Sequence, residues 1–518
     1  MKTQPSPIGV QFPCAPSGQR STTNAGRTIF AASMYLIDCP LSDLVRKENN
    51  WRQNYLHYMP NMMLSSAQAP KTAEAIAHQG LEACYKQFEF YRNGKGYRLN
   101  QAMALFKQER FHSAVIEGKG TSIKGHGLSL QHKGEKLFGE SLKNRIVHWL
   151  DKGIIEKSHA RSLIKVLNNE QLQDLSGQHF VLLGAGSEIG PLSMLLALGA
   201  NVIAVGRPSK DNWLRLINIA RESCGRLIIP CSENPKGMSD NKIAQLAGAD
   251  LLTHTPEIAV WIDSFKAPMT IGNYAYLDGS DHVRVVMAMD AISATLLEKR
   301  NDISLAYLLT PTDVYAVPQD VLHHCNERLT EQSLKSVYKK VLNKFSLGRL
   351  FSSSIYGQVP TVNGKKLGIL DNLISQQGPS YVLAKRIQRW RAINSVKQGV
   401  RVSCNVAPAT STKSVMSNRF FAAATMGSEN FGVEVFTPKT ANALMTLQLI
   451  FDIKDTQPQE RGEELFIHGA NHGGSWYLGY CFRSVLVPSL VVGLLQKLLP
   501  KTKIPYGKIA SEKQVVRT

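Results

Sequence analysis

Residues 179–207 read HFVLLGAGSEIGPLSMLLALGANVIAVGR. The apolar run Phe180 to Leu183, entered from His179, has the length and composition of a buried strand. A glycine-dense turn follows, Gly184-Ala-Gly186-Ser187-Glu188-Ile189-Gly190. Met194, Leu195, Ala197 and Leu198 then recur at helical spacing, Gly199 closes the helix, and Val202 to Val205 form a second strand. This strand-turn-helix-strand order is the unit that sets a pyrophosphate against a helix N-terminus. In that reading Gly184 permits the tight turn, Gly186 lets backbone approach phosphate, and Gly190 lets the helix lie close on the sheet.

The turn resembles that of the short-chain dehydrogenase/reductase branch of the dinucleotide-binding proteins, whose pattern is T-G-x-x-x-G-I-G. Gly184 matches the first glycine, Ile189-Gly190 the end, and Gly199-Ala200 the usual close of the first helix. Leu183 stands in place of the threonine and Glu188 in place of the middle glycine. Read as G-x-G-x-x-x-G, the same turn is similar to the shikimate dehydrogenase type of cofactor domain. The resemblance covers about a third of the chain and implies an NAD(P)-binding, Rossmann-like domain rather than a particular reaction. It implies cofactor contacts from Gly184, Gly186, Ser187, Glu188, Ile189 and Gly190.

NAD-specific domains carry Asp or Glu at the end of the second strand, on the ribose hydroxyls. Here the strand ends in Gly206-Arg207-Pro208-Ser209-Lys210. A guanidinium and an ammonium suit a 2′-phosphate, so NADP(H) is expected over NAD(H). The bland reading of Arg207 is a solvated strand-end arginine.

At 518 residues the chain exceeds a single core, and 43% hydrophobic with 19% charged residues suits an ordinary globular protein. Eight scattered cysteines without C-x-x-C argue against a disulfide framework or zinc ribbon and favour a cytoplasmic, reducing setting. The net charge of +20 is dispersed, without a Lys/Arg block. With no zinc-finger spacing or RNA-recognition signature, nucleic acid is not expected; anionic cofactors, acyl substrates and acidic membranes suit the same charge.

The expected fold is α/β, a doubly wound parallel sheet with a mainly helical N-terminal region and a further α/β or helical C-terminal region. Residues 1–29, rich in Pro, Ser, Gly and Thr and free of acids, read as a flexible leader. Residues 30–170 read as a helical substrate or cap region, 171–325 as the cofactor domain, and 326–518 as a substrate or oligomerisation region. Strands are expected at 180–183, 202–205, 226–230, 250–253, 269–272 and 304–309, the fifth being Met269-Thr-Ile-Gly272. Ligands of such sheets lie at the strand carboxyl ends, which puts Thr253, Asn273, Tyr274 and Thr310 beside the cofactor.

In the short-chain family a tyrosine with a lysine four residues on supplies the proton. Positions 278 and 280, four after Tyr274 and Tyr276, are Asp and Ser, so the pair is missing after the expected fifth strand. The polar group that remains there, Tyr276, Asp278 and His282 with Asn273 and Asp281, supplies acid/base candidates or else caps the next helix. The glycine-rich stretch from His112 reads as a loop over the site with His112, Glu117 and Lys119 as substrate contacts, or as a surface hairpin. His468 and His472 are four apart but sit among glycines, so no metal is expected; His472 reads as a catalytic contribution across a cleft or as a structural residue.

Residues 485–499 are almost continuously apolar and basic residues follow, a buried helix or an interfacial anchor for an anionic membrane through 485–518. No G-x-S-x-G elbow supports a hydrolase. The function expected is an NADP(H)-dependent oxidoreductase of an organic carbonyl or conjugated double bond, acyl or lipid-like. Its partner would be a small-molecule substrate, and a homo-oligomer is compatible. The alternatives are a lyase or isomerase retaining its dinucleotide, and a non-enzymatic dinucleotide-sensing or membrane-peripheral binding protein.

Overall fold

A computed structural model describes residues 8–14, 18, 20–330, 334–360, 364 and 366–498. The chain is mixed α/β around a seven-stranded, mostly parallel sheet. Its strands are β1 (His112–Glu117), β2 (His179–Leu183), β3 (Asn201–Val205), β4 (Arg226–Cys231), β5 (Met269–Asn273), β6 (Ile303–Leu309) and β7 (Val402–Val406). Their spatial order is β7-β6-β5-β2-β3-β4-β1. All neighbours are parallel except β1, which runs antiparallel along the edge of β4. The chain winds outward through β3 and β4, then returns to β5 on the other side of β2. Between β2 and β5 the winding reverses, and a crevice opens there at the carboxyl ends of the strands.

The unbroken apolar runs reflect burial on both faces. Val181, Leu183, Ile203 and Ile271 point into one core, while Phe180, Leu182, Val202 and Ala204 point into the other. Helix α1 (Leu192–Ala197) lies on the second face. Helix α2 (Ser280–Lys299) covers the first, together with the N-terminal helices carrying Ile29, Phe30 and Trp51. After β6 the chain leaves the sheet. It builds a three-stranded antiparallel unit from Val314–Pro318, Ile355–Pro360 and Lys366–Asp371, with helix α3 (Leu334–Phe345) between the first two. It returns through α4 (Gly378–Lys397), packed beside α2, before β7. Two further helices, α5 (Arg419–Gly427) and α6 (Phe482–Leu498), pair with one another. Among the described residues no helix is long and apolar enough to cross a membrane.

Three expectations change. Residues 250–253 form a turn, because the Asp250 carboxylate accepts the Leu252 and Thr253 amides and curls the chain. β5 is therefore the fourth strand of the parallel run and β6 the fifth. The sheet also draws β1 and β7 from outside residues 171–325. Finally, much of the expected leader is docked. Gly9–Gln11 pairs with Glu89–Arg92, Val10 and Phe12 are buried, and a helix begins at Thr22 with the Ser21 hydroxyl as its cap.

Candidate functional site

At the β2/β5 reversal lies a cleft of about 1420 Å3. The glycine turn and Arg207 line one end, Tyr381 and Lys385 of α4 the other. Gly184 has φ +96°, and a Cβ there would overlap the Ala275 backbone, so only glycine serves. The Gly184 and Ala185 amides donate to the Val205 carbonyl at 2.9 and 3.0 Å, tying the turn to β3. Gly186, Ser187, Glu188 and Ile189 line the cleft, and Glu188 accepts the Lys413 amide at 2.9 Å. The helix behind the turn differs from the expectation. It has six residues and starts at Leu192, after Pro191, and the Gly190 carbonyl, outside the cleft lining, accepts from the Asn442 amide. Arg207 lines the rim with its side chain exposed and in no ion pair among the described residues.

The other end is polar and tightly held. Asn273, Tyr274 and Thr310, at the ends of β5 and β6, line the cleft as expected from the strand ends. The Asn273 side-chain amide is buried without a hydrogen-bond partner, available to a ligand group. Thr253 does not line the cleft; its carbonyl accepts from Arg92 instead. Thr310 Oγ1 is hydrogen-bonded to Thr312 Oγ1 at 2.7 Å, and its hydroxyl acts on the Tyr381 phenol to lower its pKa. One helical turn on, Lys385 Nζ donates to the Leu308 carbonyl at 2.9 Å and to Gln388 Oε1 at 3.2 Å, 5.7 Å from the Tyr381 ring centre. Burial lowers the Lys385 pKa to about 8, and burial raises the Tyr381 phenol, opposed by the Thr310 hydroxyl.

Helix α4 is clamped so that these two side chains cannot drift. Asp313, just beyond β6, receives Arg386 at 2.7 Å and Arg389 at 3.2 Å, and Arg389 reaches Glu463 at 2.5 Å. On the α2 side Arg391 grips Asp290 bidentately at 2.7 and 2.8 Å. Buried charge pairs of this kind fix geometry more reliably than they add stability.

The expected acid/base group is only partly supported. Tyr276 lines the cleft but is 50% exposed, and burial followed by the Asp278 charge raises its pKa. His282 is 2% exposed, its ring stacked 5.5 Å from that of Tyr381, and both ring nitrogens lack partners. Burial, then the Lys385 charge, drives its pKa down to about 3, so it stays neutral and is no imidazolium donor near neutrality. Asp278 lines the cleft, yet neither it nor Asp281 caps α2: the N-cap is Gly279, and Asp281 pairs with Arg284 at 2.8 Å.

Beside Thr253 and Gly190, four further sequence candidates fall away from the cleft. His472 is fully buried, with Nε2 3.1 Å from Glu156 and its ring stacked on Trp476 at 4.7 Å, a structural position. His112, Glu117 and Lys119 lie on or just after β1 at the far edge of the sheet. Glu117 pairs there with Arg226, and the Lys119 amide donates to the Arg221 carbonyl, so the glycine stretch packs at the strands' amino ends instead of covering the site.

The sequence reading missed Tyr381 and Lys385, although Y-V-L-A-K at 381–385 is a Y-x-x-x-K pair in plain view. Counting 250–253 as a strand placed the search after β5. The true fifth parallel strand is β6, and the pair follows it across the inserted Val314–Asp371 unit. No family model matches the chain, and comparison with curated proteins gives no match either.

Proposed function

We propose that the chain is an NADP(H)-dependent oxidoreductase of an organic carbonyl, built on a Rossmann-like sheet. The observation that carries the reading is the Tyr381–Lys385 pair at the far end of the cleft from the glycine turn, with Lys385 Nζ 5.7 Å from the Tyr381 ring centre. Strand order supports it too, since the six parallel strands follow the 3-2-1-4-5-6 winding of dinucleotide-binding sheets. The resemblance of the glycine turn to the short-chain family implies a Y-x-x-x-K pair on the helix after the fifth strand, and α4 carries one.

The cleft's residues fit the dinucleotide. The turn residues Gly186 to Ile189 would approach the pyrophosphate, Arg207 would meet the 2′-phosphate, and the unpartnered Asn273 amide would hold a polar group of the ligand. NADPH held there would supply hydride to the carbonyl carbon. Tyr381 donates its hydroxyl proton to the carbonyl oxygen, giving the alcohol, and the Thr310 hydroxyl eases the loss of that proton. The Lys385 ammonium, one turn away, stabilises the phenolate that Tyr381 becomes. Neutral His282 packs on the Tyr381 ring and keeps its orientation without competing for the proton.

A Y-x-x-x-K pair on α4 favours the oxidoreductase over a lyase or isomerase that retains its dinucleotide. Exchanging Tyr381 for Phe is expected to lower kcat for NADPH-dependent carbonyl reduction by about 10²-fold or more while NADPH affinity holds. Tyr276→Phe is expected to change kcat only a few-fold, within about 1 kcal/mol. A Tyr381→Phe enzyme with undiminished turnover would remove the pair from the mechanism.

A further inference from the structure

Polar and apolar groups both line the cleft, and α5, whose Phe421 lines it, belongs to a group of helices that turn apolar side chains outward. α5 and α6 approach through glycine: a Cβ on Gly427 would collide with the Ser489 carbonyl, and one on Gly493 with that of Ala423. On the outer side of α6, Val487, Val491, Leu494 and Leu495 are 40–56% exposed at one-face spacing. No charged residue lies between Arg483 and Lys497. Phe420 of α5 is 68% exposed, while Asn418 and Phe421 beside it line the cleft. α3 adjoins the start of α6 through a shared cluster of Leu342, Phe351, Tyr480, Phe482 and Val485. Beyond that cluster Phe345 and Leu347 are 84% and 89% exposed, and Lys340, Lys344 and Arg349 are exposed around them.

Single exposed aliphatics are ordinary, whereas a run of this size across three adjoining elements marks a docking face. Charge selects the occupant. The chain carries +20, and residues 497–518 hold six Lys or Arg against a single Glu. A second copy of so basic a chain would be repelled, while an anionic bilayer attracts it at about 1 kcal/mol per basic residue near the surface. Exposed Phe, Leu and Val flanked by lysines suit the headgroup boundary, and none of the described helices is long and apolar enough to cross a membrane.

We propose that α3, α5 and α6 seat the mouth of the cleft on an anionic lipid surface, from which a long-chain, lipid-like carbonyl substrate enters. The substrate class rests on the oxidoreductase reading; the docking does not. The test is flotation of the full chain with phosphatidylcholine vesicles, with and without about one-third phosphatidylglycerol, at two salt concentrations. Binding to the anionic vesicles alone, weakened by salt, is expected. The variant Val487→Ser/Val491→Ser/Leu495→Ser should bind at least about tenfold more weakly at unchanged charge. So should Phe345→Ser/Leu347→Ser, whose side chains are too exposed to matter for folding. NADPH affinity should hold in both variants.

No flotation with anionic vesicles would overturn the proposal, as would undiminished flotation of both variants. So would self-association without lipid that the same variants abolish, since the face would then belong to a second copy. Flotation needs neither cofactor nor substrate, so it can fail while carbonyl reduction stands, and the reverse.

Discussion

Replacing Lys385 with Met is expected to leave stability at pH 7 nearly unchanged while it sharply lowers turnover. Burial lowers its pKa from 10.5 to about 8, which at about 1.4 kcal/mol per unit sets an upper bound of about 3–4 kcal/mol on the cost of folding the ammonium into the cleft. At pH 7 the folded and unfolded chains both carry the proton, and the cost is full. Between pH 8 and 10.5 the folded lysine is neutral while the unfolded one keeps its proton, so wild-type stability rises with pH through that window. Lys385→Met removes the cost but frees the Leu308 carbonyl and Gln388 Oε1, worth about 1–3 kcal/mol if they stay dry. The net change at pH 7 is therefore small, and the pH-dependent rise above 8 disappears. Turnover tells the other half. In wild type, carbonyl reduction should be level below pH 8 and fall above it as Lys385 loses its charge; in Lys385→Met kcat should be about 10²-fold lower or worse, without that inflection. Urea titrations from pH 6 to 10 read the first effect, and a kcat profile over the same range the second. A wild-type profile flat through pH 8, or a Met variant of full activity, would refute the role given to the lysine.

Two further outcomes follow from the geometry. Gly184→Ala forces a side chain into a left-handed residue and against the Ala275 backbone, so a loss of at least about 2 kcal/mol and of NADPH binding is expected, read by urea unfolding and titration. His472→Ala should lose about 2–4 kcal/mol, because a buried ring stacked on Trp476 is removed and Glu156 is left unpaired, while residual folded enzyme keeps its kcat.

The sheet was legible because strands buried on both faces write themselves as unbroken apolar runs, as in Phe180-Val-Leu-Leu183 and Val202-Ile-Ala-Val205. The same signal misled at Leu251-Leu252. Those residues are apolar because Leu251 lies in, and Leu252 against, the core that also holds Val10, Val181 and Ile271, and not because they pair in the sheet. That extra strand hid the Tyr381–Lys385 pair, since a motif tied to a strand count is only as good as the count. The glycine turn and Arg207 needed no count and were placed at the cleft from sequence alone. Burial of His472 and His282 had no local signal: it depends on Glu156, Trp476 and Tyr381, distant in the chain.

Calorimetric titration of the purified chain with NADPH and NADH, repeated on Arg207→Glu, bears most directly on the proposed cofactor cleft. Tighter binding of NADPH is expected, with a preference of about 10- to 100-fold that collapses in the variant, as one charge-assisted contact of about 1.5–3 kcal/mol would give. Failure of both nucleotides to bind protein shown to be free of retained cofactor would contradict the account at its root.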